Sequence, residues 1–334
     1  KAMSSFGIHE AQMMFGVDVA NSVISLAKTP EPGKVSLFEV RTAIAAAANG
    51  KIATDVGAMG GGVWMHEDEI ILVGKGFAHK YGQDKKLTQI ARPTFGGRRL
   101  DYSNQIDWYT EEMMQELLRR AESLEWRHEV VGELLSLFGM WDNWEVKSSN
   151  EIAAGLVLAT FVQTCWEFRP HVCITGPSNS GKTMLIDKCM SGIFNGLCAS
   201  MQKGTEAGLR QKVKSDAVAV VIDEFEADRH RKDILELLRT STRGGKTPRG
   251  TATGKGQDYG LKHLCWVSAI EVGLTQEADQ NRFIRLVLCG LDADRDPAKR
   301  MQLPSRMSMA DLGHRASACA IYTIREAKGL VEKI

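Results

Sequence analysis

The densest chemistry in the chain lies in Gly176-Pro177-Ser178-Asn179-Ser180-Gly181-Lys182-Thr183. This string fits G-x-x-x-x-G-K-[ST], a pattern whose residue types suit phosphate. Gly176 and Gly181 let the backbone curl so that successive N–H groups point inward at an anion. The Lys182 ammonium is placed to reach the β- and γ-phosphates of a nucleotide, and the Thr183 hydroxyl to sit on Mg²⁺. Context favours the pattern over a plain glycine turn. His171-Val-Cys-Ile-Thr175 reads as a short buried strand before it. Residues 184–190 read as a helix after it, whose N-terminus adds partial positive charge. Met184, the first residue of that helix, completes the candidate nucleotide-binding set.

A second centre lies about 40 residues on, at Asp223-Glu224. The run Ala217-Val-Ala-Val-Val-Ile222 before it is continuously apolar and β-branched, as a strand buried on both faces of a parallel sheet should be. Asp223 is expected to hold Mg²⁺ opposite Thr183, and Glu224 to orient and polarise an attacking water. Set against this is the reading of two surface acids at a strand-to-loop junction. Residues 261–270 form a third buried strand, with Ser268 near its carboxyl end, where a hydroxyl could touch the γ-phosphate or the water. A serine in a strand is as readily structural. Arg282 precedes a fourth strand at 283–289. In a ring it could reach a neighbour's γ-phosphate; alone it reads as a salt-bridged surface arginine.

Between Arg239 and Lys262 the composition shifts. Arg239, Arg243, Lys246, Arg249, Lys255 and Lys262 face one acid, Asp258, and six glycines interrupt them. The segment reads either as a mobile basic loop or hairpin that grips the backbone of a nucleic acid strand, or as a flexible surface loop. Tyr259 is its only aromatic for stacking.

The elements that must position these residues are unevenly legible. Residues 108–140 show apolar positions at spacings of mostly three, four and seven, predicting a helix with one buried face that includes Met113, Leu117, Leu118, Leu124, Val131, Leu134, Leu135 and Phe138. Asn150 is placed to cap a second, buried helix over 151–162. Leu197 to Met201 is a weak strand, and Thr205 leads a loop into a helix. Asp228 reads as the cap of a helix over 229–239. Ser308-x-x-Asp311 starts a last helix through Ala327. Residues 1–105 are less readable: loose helical spacing over 6–27, an alanine-rich helix over 35–48, then a hairpin of 63–65 and 69–73 around His66-Glu67-Asp68. Gly57, Gly60, Gly61 and Gly62 make a turn, without the flanking strand and helix of a nucleotide fingerprint. His9, His66 and His79 read as solvated surface histidines.

Composition narrows the classes. Of 334 residues, 43% are hydrophobic and 25% charged, ordinary for a soluble chain. Net charge is +1, so no global field draws the protein to nucleic acid or membrane. No apolar run approaches ~20 residues, so no membrane partner is expected. The seven cysteines contain no C-x-x-C pair and no ligand-like spacing, which speaks against zinc, and several lie within apolar strand-like runs, which suggests buried thiols of a reducing, cytoplasmic compartment. Lys1-Ala2-Met3 at the start and a helix-like stretch at Ile334 suggest a piece of a longer protein.

The order is helical block, phosphate loop, Asp-Glu strand, helix, basic glycine loop, polar-ended strand, then Gln280-Asn281-Arg282-Phe283 before a strand. It resembles the AAA+ ATPases, and within them the superfamily-3-like helicase modules of phage and plasmid primase–helicases. The resemblance covers about residues 105–330. In the prophage proteins W-R-P-H precedes the loop; here Glu167-Phe168 interrupts Trp166 and Arg169-Pro170. Ser268-Ala269 and Asp223-Glu224 stand where those helicases commonly carry asparagine and paired aspartates. The resemblance implies an α/β fold: a P-loop NTPase, AAA+-like core with a parallel sheet at 166–334, an N-terminal helical collar at 106–165, and a smaller mixed α+β accessory domain at 1–105. It implies ATP and Mg²⁺ as cofactors, catalytic roles for Lys182, Glu224, Ser268 and Arg282, and metal contacts from Thr183 and Asp223. It implies single-stranded DNA on Lys246, Arg249 and Lys255, a homo-oligomeric ring, a hexamer, and a primase domain or subunit as partner. The activity implied is an ATP-driven DNA helicase or translocase. A nucleotide-dependent switch or assembly module, and a P-loop small-molecule kinase, are the alternatives.

Overall fold

In this computed structural model the structure describes residues 6–7, 34–35, 57–202, 205–225, 231–242, 263–271, 273–274, 276–290 and 308–331. The chain divides into two compact units, residues 1–56 and residues 57–334. In the first, β1 (Phe6–Gly7) pairs antiparallel with β2 (Lys34–Val35), Phe6 opposite Val35. Val35 is thus a strand residue, not the start of a helix. The rest of the two helices expected over 6–27 and 35–48 lies outside the described residues.

The second unit opens with a four-stranded antiparallel sheet in the order β3 (Gly62–His66), β4 (Glu69–Val73), β5 (Ala78–Tyr81), β6 (Leu87–Gln89). The expected hairpin forms, turning at Glu67 with φ 53°. Both faces of β4 are covered. Ile70 and Leu72 join the main core, while Ile71 and Val73 join a smaller cluster with Trp64, Leu100 and Ala217. That is why Ile70 to Val73 is apolar without alternation. Next come the short β7 (Thr94–Phe95) and β8 (Arg98–Arg99), paired as a hairpin.

The single helix expected over 108–140 is two. In α1 (Glu111–Arg120) the Thr110 side chain accepts the Met113 N–H; in α2 (Leu124–Gly139) the Ser123 side chain accepts the Trp126 N–H. Acids in the first turn of α1 and arginines in its last complement the helix dipole. The apolar spacing runs through the break, but the Ser123 hydroxyl supplies an N-cap there and restarts the helix. One consequence is that Leu124, counted on the buried face, is 57% exposed. The next helix, α3 (Ser149–Phe161), begins one residue before Asn150, so Asn150 lies inside its first turn and does not cap it. A turn from Ser149 N–H to Val146 C=O starts the helix early.

The second sheet has five strands, all parallel: β9 (His171–Thr175), β10 (Cys198–Met201), β11 (Ala219–Ile222), β12 (Cys265–Ala269) and β13 (Phe283–Val287). Their spatial order is β10-β11-β12-β9-β13. Every residue of β9, β11 and β12 is buried, in keeping with their largely apolar sequences. The helix after β9, α4, is wound as π-turns over Met184–Met190 and closes with an α-turn at Ser191–Ile193. A regular helix was expected there; π-turns occur frequently at functional sites. Further helices are α5 (Glu206–Val213), capped by Thr205, α6 (Arg231–Ser241), α7 (Glu277–Gln280) and α8 (Met309–Val331). The Ser308 hydroxyl accepts the Asp311 N–H at 3.3 Å, as the capping pattern predicts.

Helix α8 packs on α1, α2, α3 and the end of α4. Arg315 grips Glu133 of α2 with two bonds of 2.6 and 2.7 Å, and this pairing holds the Glu133 carboxyl below its usual range. Gly313 allows the closest approach. A Cβ there would stand 1.8 Å from the Ile193 carbonyl, so only glycine lets α8 lie against the helix that follows the phosphate loop. Among the described residues no helix is long and apolar enough to cross a membrane.

His79 corrects the sequence reading. It is buried, with Nδ1 3.0 Å from the Tyr109 hydroxyl and Nε2 3.0 Å from the Glu111 carboxylate. Both partners lie some thirty residues downstream, which hides the arrangement from local inspection.

Candidate functional site

Residues 176–183, the candidate phosphate loop, join β9 to α4. Asn179 takes φ 63° and Gly181 φ 94°, left-handed values that curl the chain. Gly176 is packed so closely that a Cβ would lie 2.3 Å from the Leu288 carbonyl. Ser180 is fully buried, while Pro177, Ser178, Asn179 and Thr183 are exposed. The Lys182 ammonium lies on the loop, donating to the carbonyls of Gly176 at 2.6 Å and Pro177 at 2.8 Å and to the Ser180 hydroxyl at 3.4 Å. A cation thus sits among the glycines and at the start of a helix, where backbone N–H groups lack helical partners.

The register brings the acids to the same edge. Ile222 of β11 is level with Val267 of β12, and Val267 with Cys173 of β9. Asp223 therefore emerges beside Ser268, one strand removed from the phosphate loop. The Ser268 hydroxyl donates to Asp223 Oδ1, and the Glu224 N–H donates to the same oxygen at 3.0 Å. A hydroxyl has one proton, and here Asp223 receives it, so Ser268 acts on the carboxylate. Asp223 and Ser268 are buried, whereas Glu224 is exposed. Glu224 stands at φ 53°, in the left-handed region uncommon for residues other than glycine. The Phe225 N–H returns to the Ser268 carbonyl at 2.8 Å and holds this hook.

Arg282 lies elsewhere. Its carbonyl accepts the His171 N–H at 2.8 Å, at the amino end of β9, and its N–H donates to the Asp279 carbonyl at 2.9 Å. The strands are parallel, so Arg282 and the phosphate loop sit at opposite edges of the sheet, about 16 Å apart for five residues of strand. One chain does not bring Arg282 to its own loop. The turn carrying it is tied down by Arg239 of α6, which forks onto the buried Asp279 carboxylate and also bonds Gln276 at 2.7 Å. Lys246, Arg249 and Lys255 lie outside the described residues, as does Asp228. The flanking residues Thr242 and His263 are buried.

Two histidines near this edge carry a pH signature. Nδ1 of His171 accepts the Cys265 N–H at 3.2 Å, so its proton is on Nε2, which donates to the Leu238 carbonyl at 2.8 Å. His263 Nε2 donates to the Asp216 carbonyl at 2.8 Å. Burial lowers both from the usual 6.5 to about 4. Unfolding exposes two groups that bind protons near pH 6.5, whereas the folded chain holds them neutral. Their stabilisation is thus complete above 6.5 and lost as pH falls toward 4, by about 3 kcal/mol each. The urea midpoint is expected to fall steeply between pH 6.5 and 4.5; a flat midpoint over that interval would rule the assignment out.

Cys173, Cys189, Cys265 and Cys319 are buried, as expected of several of the thiols, Cys289 is exposed, and none of the seven cysteines forms a disulfide. Burial pushes the Cys189 thiol up to about 12, which keeps it protonated and inert beside the loop. Among the described residues no group of three or more His, Cys, Asp or Glu side chains is arranged to hold a metal ion. A Mg²⁺ held with substrate phosphates needs no such cage, since one carboxylate, one hydroxyl and water suffice on the protein side.

Sequence reasoning missed two residues here. The Trp141 indole donates to the Gly181 carbonyl at 3.3 Å, and the Asn143 amide to the Ser180 carbonyl at 3.1 Å. Both follow α2, and nothing in their local sequence points to the loop. No protein-family model matches the chain, and no curated protein matches it.

Proposed function

We propose that the chain binds Mg²⁺–ATP at residues 176–184 and hydrolyses it. Hydrolysis drives movement along single-stranded DNA within a ring of like subunits, a hexamer, as the helicase motor of a mobile-element replication protein. The observation that carries this reading is the insertion of β12 between β9 and β11. It leaves the carboxyl ends of β9 and β11 two strand spacings apart, about 10 Å, room for a cation and phosphate oxygens between Thr183 and Asp223. Ligands of open parallel sheets bind at such carboxyl edges. This strand order supports assigning the sheet to an AAA+-like P-loop core.

The residues fit the pair they are assigned. The loop offers backbone N–H groups and one ammonium, and the facing strand a carboxylate oriented by Ser268. Thr183 and Asp223 would hold Mg²⁺, which would supply positive charge to offset that of the phosphates. Lys182 exchanges its bonds to the Gly176 and Pro177 carbonyls for phosphate oxygens. Glu224 orients the attacking water. Arg282, one strand length from its own loop, serves a neighbouring subunit. Lys246, Arg249 and Lys255 contact the DNA backbone.

The test is the ATPase rate with and without single-stranded DNA over a range of protein concentrations. Stimulation by DNA that rises cooperatively with concentration is the expected result. A rate indifferent to both would replace the motor with a nucleotide-dependent switch. ADP formed only with an added acceptor, with the phosphoryl group on that acceptor and no free phosphate, would make it a kinase.

A further inference from the structure

The loop motif explains which atoms could meet a phosphate. It does not explain what aims them. We infer that Trp141 and Asn143, well upstream of the motif, are positioning residues that aim the phosphate-binding N–H groups of Gly181 and Lys182. The inference rests on the nucleotide reading of the loop.

In a planar trans peptide the C=O and the following N–H point in opposite directions. Asn143 Nδ2 holds the Ser180 carbonyl at 3.1 Å. The Gly181 N–H of that peptide must therefore face the other way. Trp141 Nε1 holds the Gly181 carbonyl at 3.3 Å, which also accepts the Leu185 N–H at 3.1 Å. The Lys182 N–H is fixed in the same manner. Both N–H groups lie at the start of α4, where the helix itself supplies no acceptor. Without an external hold, Gly181 could rotate these peptides at little steric cost.

The hold is itself rigid. The second Asn143 amide proton goes to the Cys289 carbonyl at 2.7 Å, and the Asn143 carbonyl accepts the Cys289 N–H at 2.8 Å. Two carbonyl acceptors fix which end of the amide is nitrogen. Trp144 bridges Leu288 antiparallel, and the Glu145 N–H donates to the Val287 carbonyl at 2.9 Å. The turn after α2 thus runs along the exit of β13, and Trp141 is 2% exposed. Residues from the helical block, the β13 exit and the phosphate loop meet at one asparagine.

The experiment uses the full chain with Asn143→Ala and Trp141→Phe, the latter keeping a ring and removing the donor. Inorganic pyrophosphate and Mg²⁺–ADP are titrated calorimetrically below the unfolding temperature. The ¹⁵N–¹H resonances of Gly181 and Lys182 are followed with pyrophosphate. In the parent chain both amide protons are expected to move downfield as they donate to the anion. Asn143→Ala should weaken both ligands about tenfold and reduce the Gly181 shift, and Trp141→Phe should reduce the Lys182 shift. A purely structural role would lower the melting temperature and leave affinities and amide shifts unchanged, which would overturn the inference. If Asn143→Ala does not fold, the Trp141→Phe result decides alone. If the parent chain binds neither probe, the nucleotide reading fails first, and the inference falls with it.

Discussion

Lys182→Ala abolishes ATP turnover and weakens nucleotide binding; this is the largest effect expected of any single substitution. The ammonium is the loop's own cation. It lies among the carbonyls of Gly176 and Pro177 and the Ser180 hydroxyl, so it is already within the curl that a phosphate would enter. Charge-assisted bonds to phosphate are roughly twice as strong as neutral ones. Removing one donor from a preorganised anion site costs about a hundred- to a thousand-fold in rate. The alanine variant also frees the carbonyls that the ammonium now ties together, which adds disorder to the loop. Phosphate release at saturating ATP and the affinity for ADP measure both effects. A rate within tenfold of the parent chain would remove Lys182 from the chemistry and the site from residues 176–184.

Glu224→Gln separates binding from chemistry. Glutamine keeps the size and the hydrogen bonding of glutamate but cannot polarise a water by accepting its proton. The loss expected for a positioned general base is about 10²- to 10⁴-fold in hydrolysis. Nucleotide affinity should hold, because Asp223, not Glu224, carries the bond from Ser268 that fixes the acidic edge. At φ 53° Glu224 leaves the strand in a hook, secured by its own N–H on Asp223 Oδ1 and by Phe225 on Ser268. That hook carries an exposed carboxylate past the carboxyl edge of the sheet. A variant that binds ATP and retains it unhydrolysed is the expected result. Parent-like hydrolysis would move the base to another residue.

Elements whose signal lies in contiguous residues were legible. The apolar runs of β9 and β11 announce burial on both faces, and the hairpin over 62–73 shows two short strands around a polar turn. The Ser308–Asp311 pattern starts α8. Misreadings arose where a single polar group overrode a pattern. Apolar spacing continues through 121–123, yet the Ser123 hydroxyl caps a new helix there. His79 looks like a surface residue until Tyr109 and Glu111 are folded onto it.

The residue types of the phosphate loop were determined by the sequence alone. The proposed phosphate site rests on glycine conformation, a lysine and a helix start, all within one short stretch. The same holds for the pairing of Asp223 with Glu224 at a strand end. The tertiary structure alone decided that β12 lies between β9 and β11, that the Ser268 hydroxyl donates its hydrogen bond to Asp223, and that Arg282 stands at the far edge of the sheet. It alone brought Asn143 onto Ser180 and Cys289. These contacts join residues far apart in sequence. They form only because burying the apolar strands and helices together leaves one packing that satisfies the polar groups between them, and no local pattern encodes that packing.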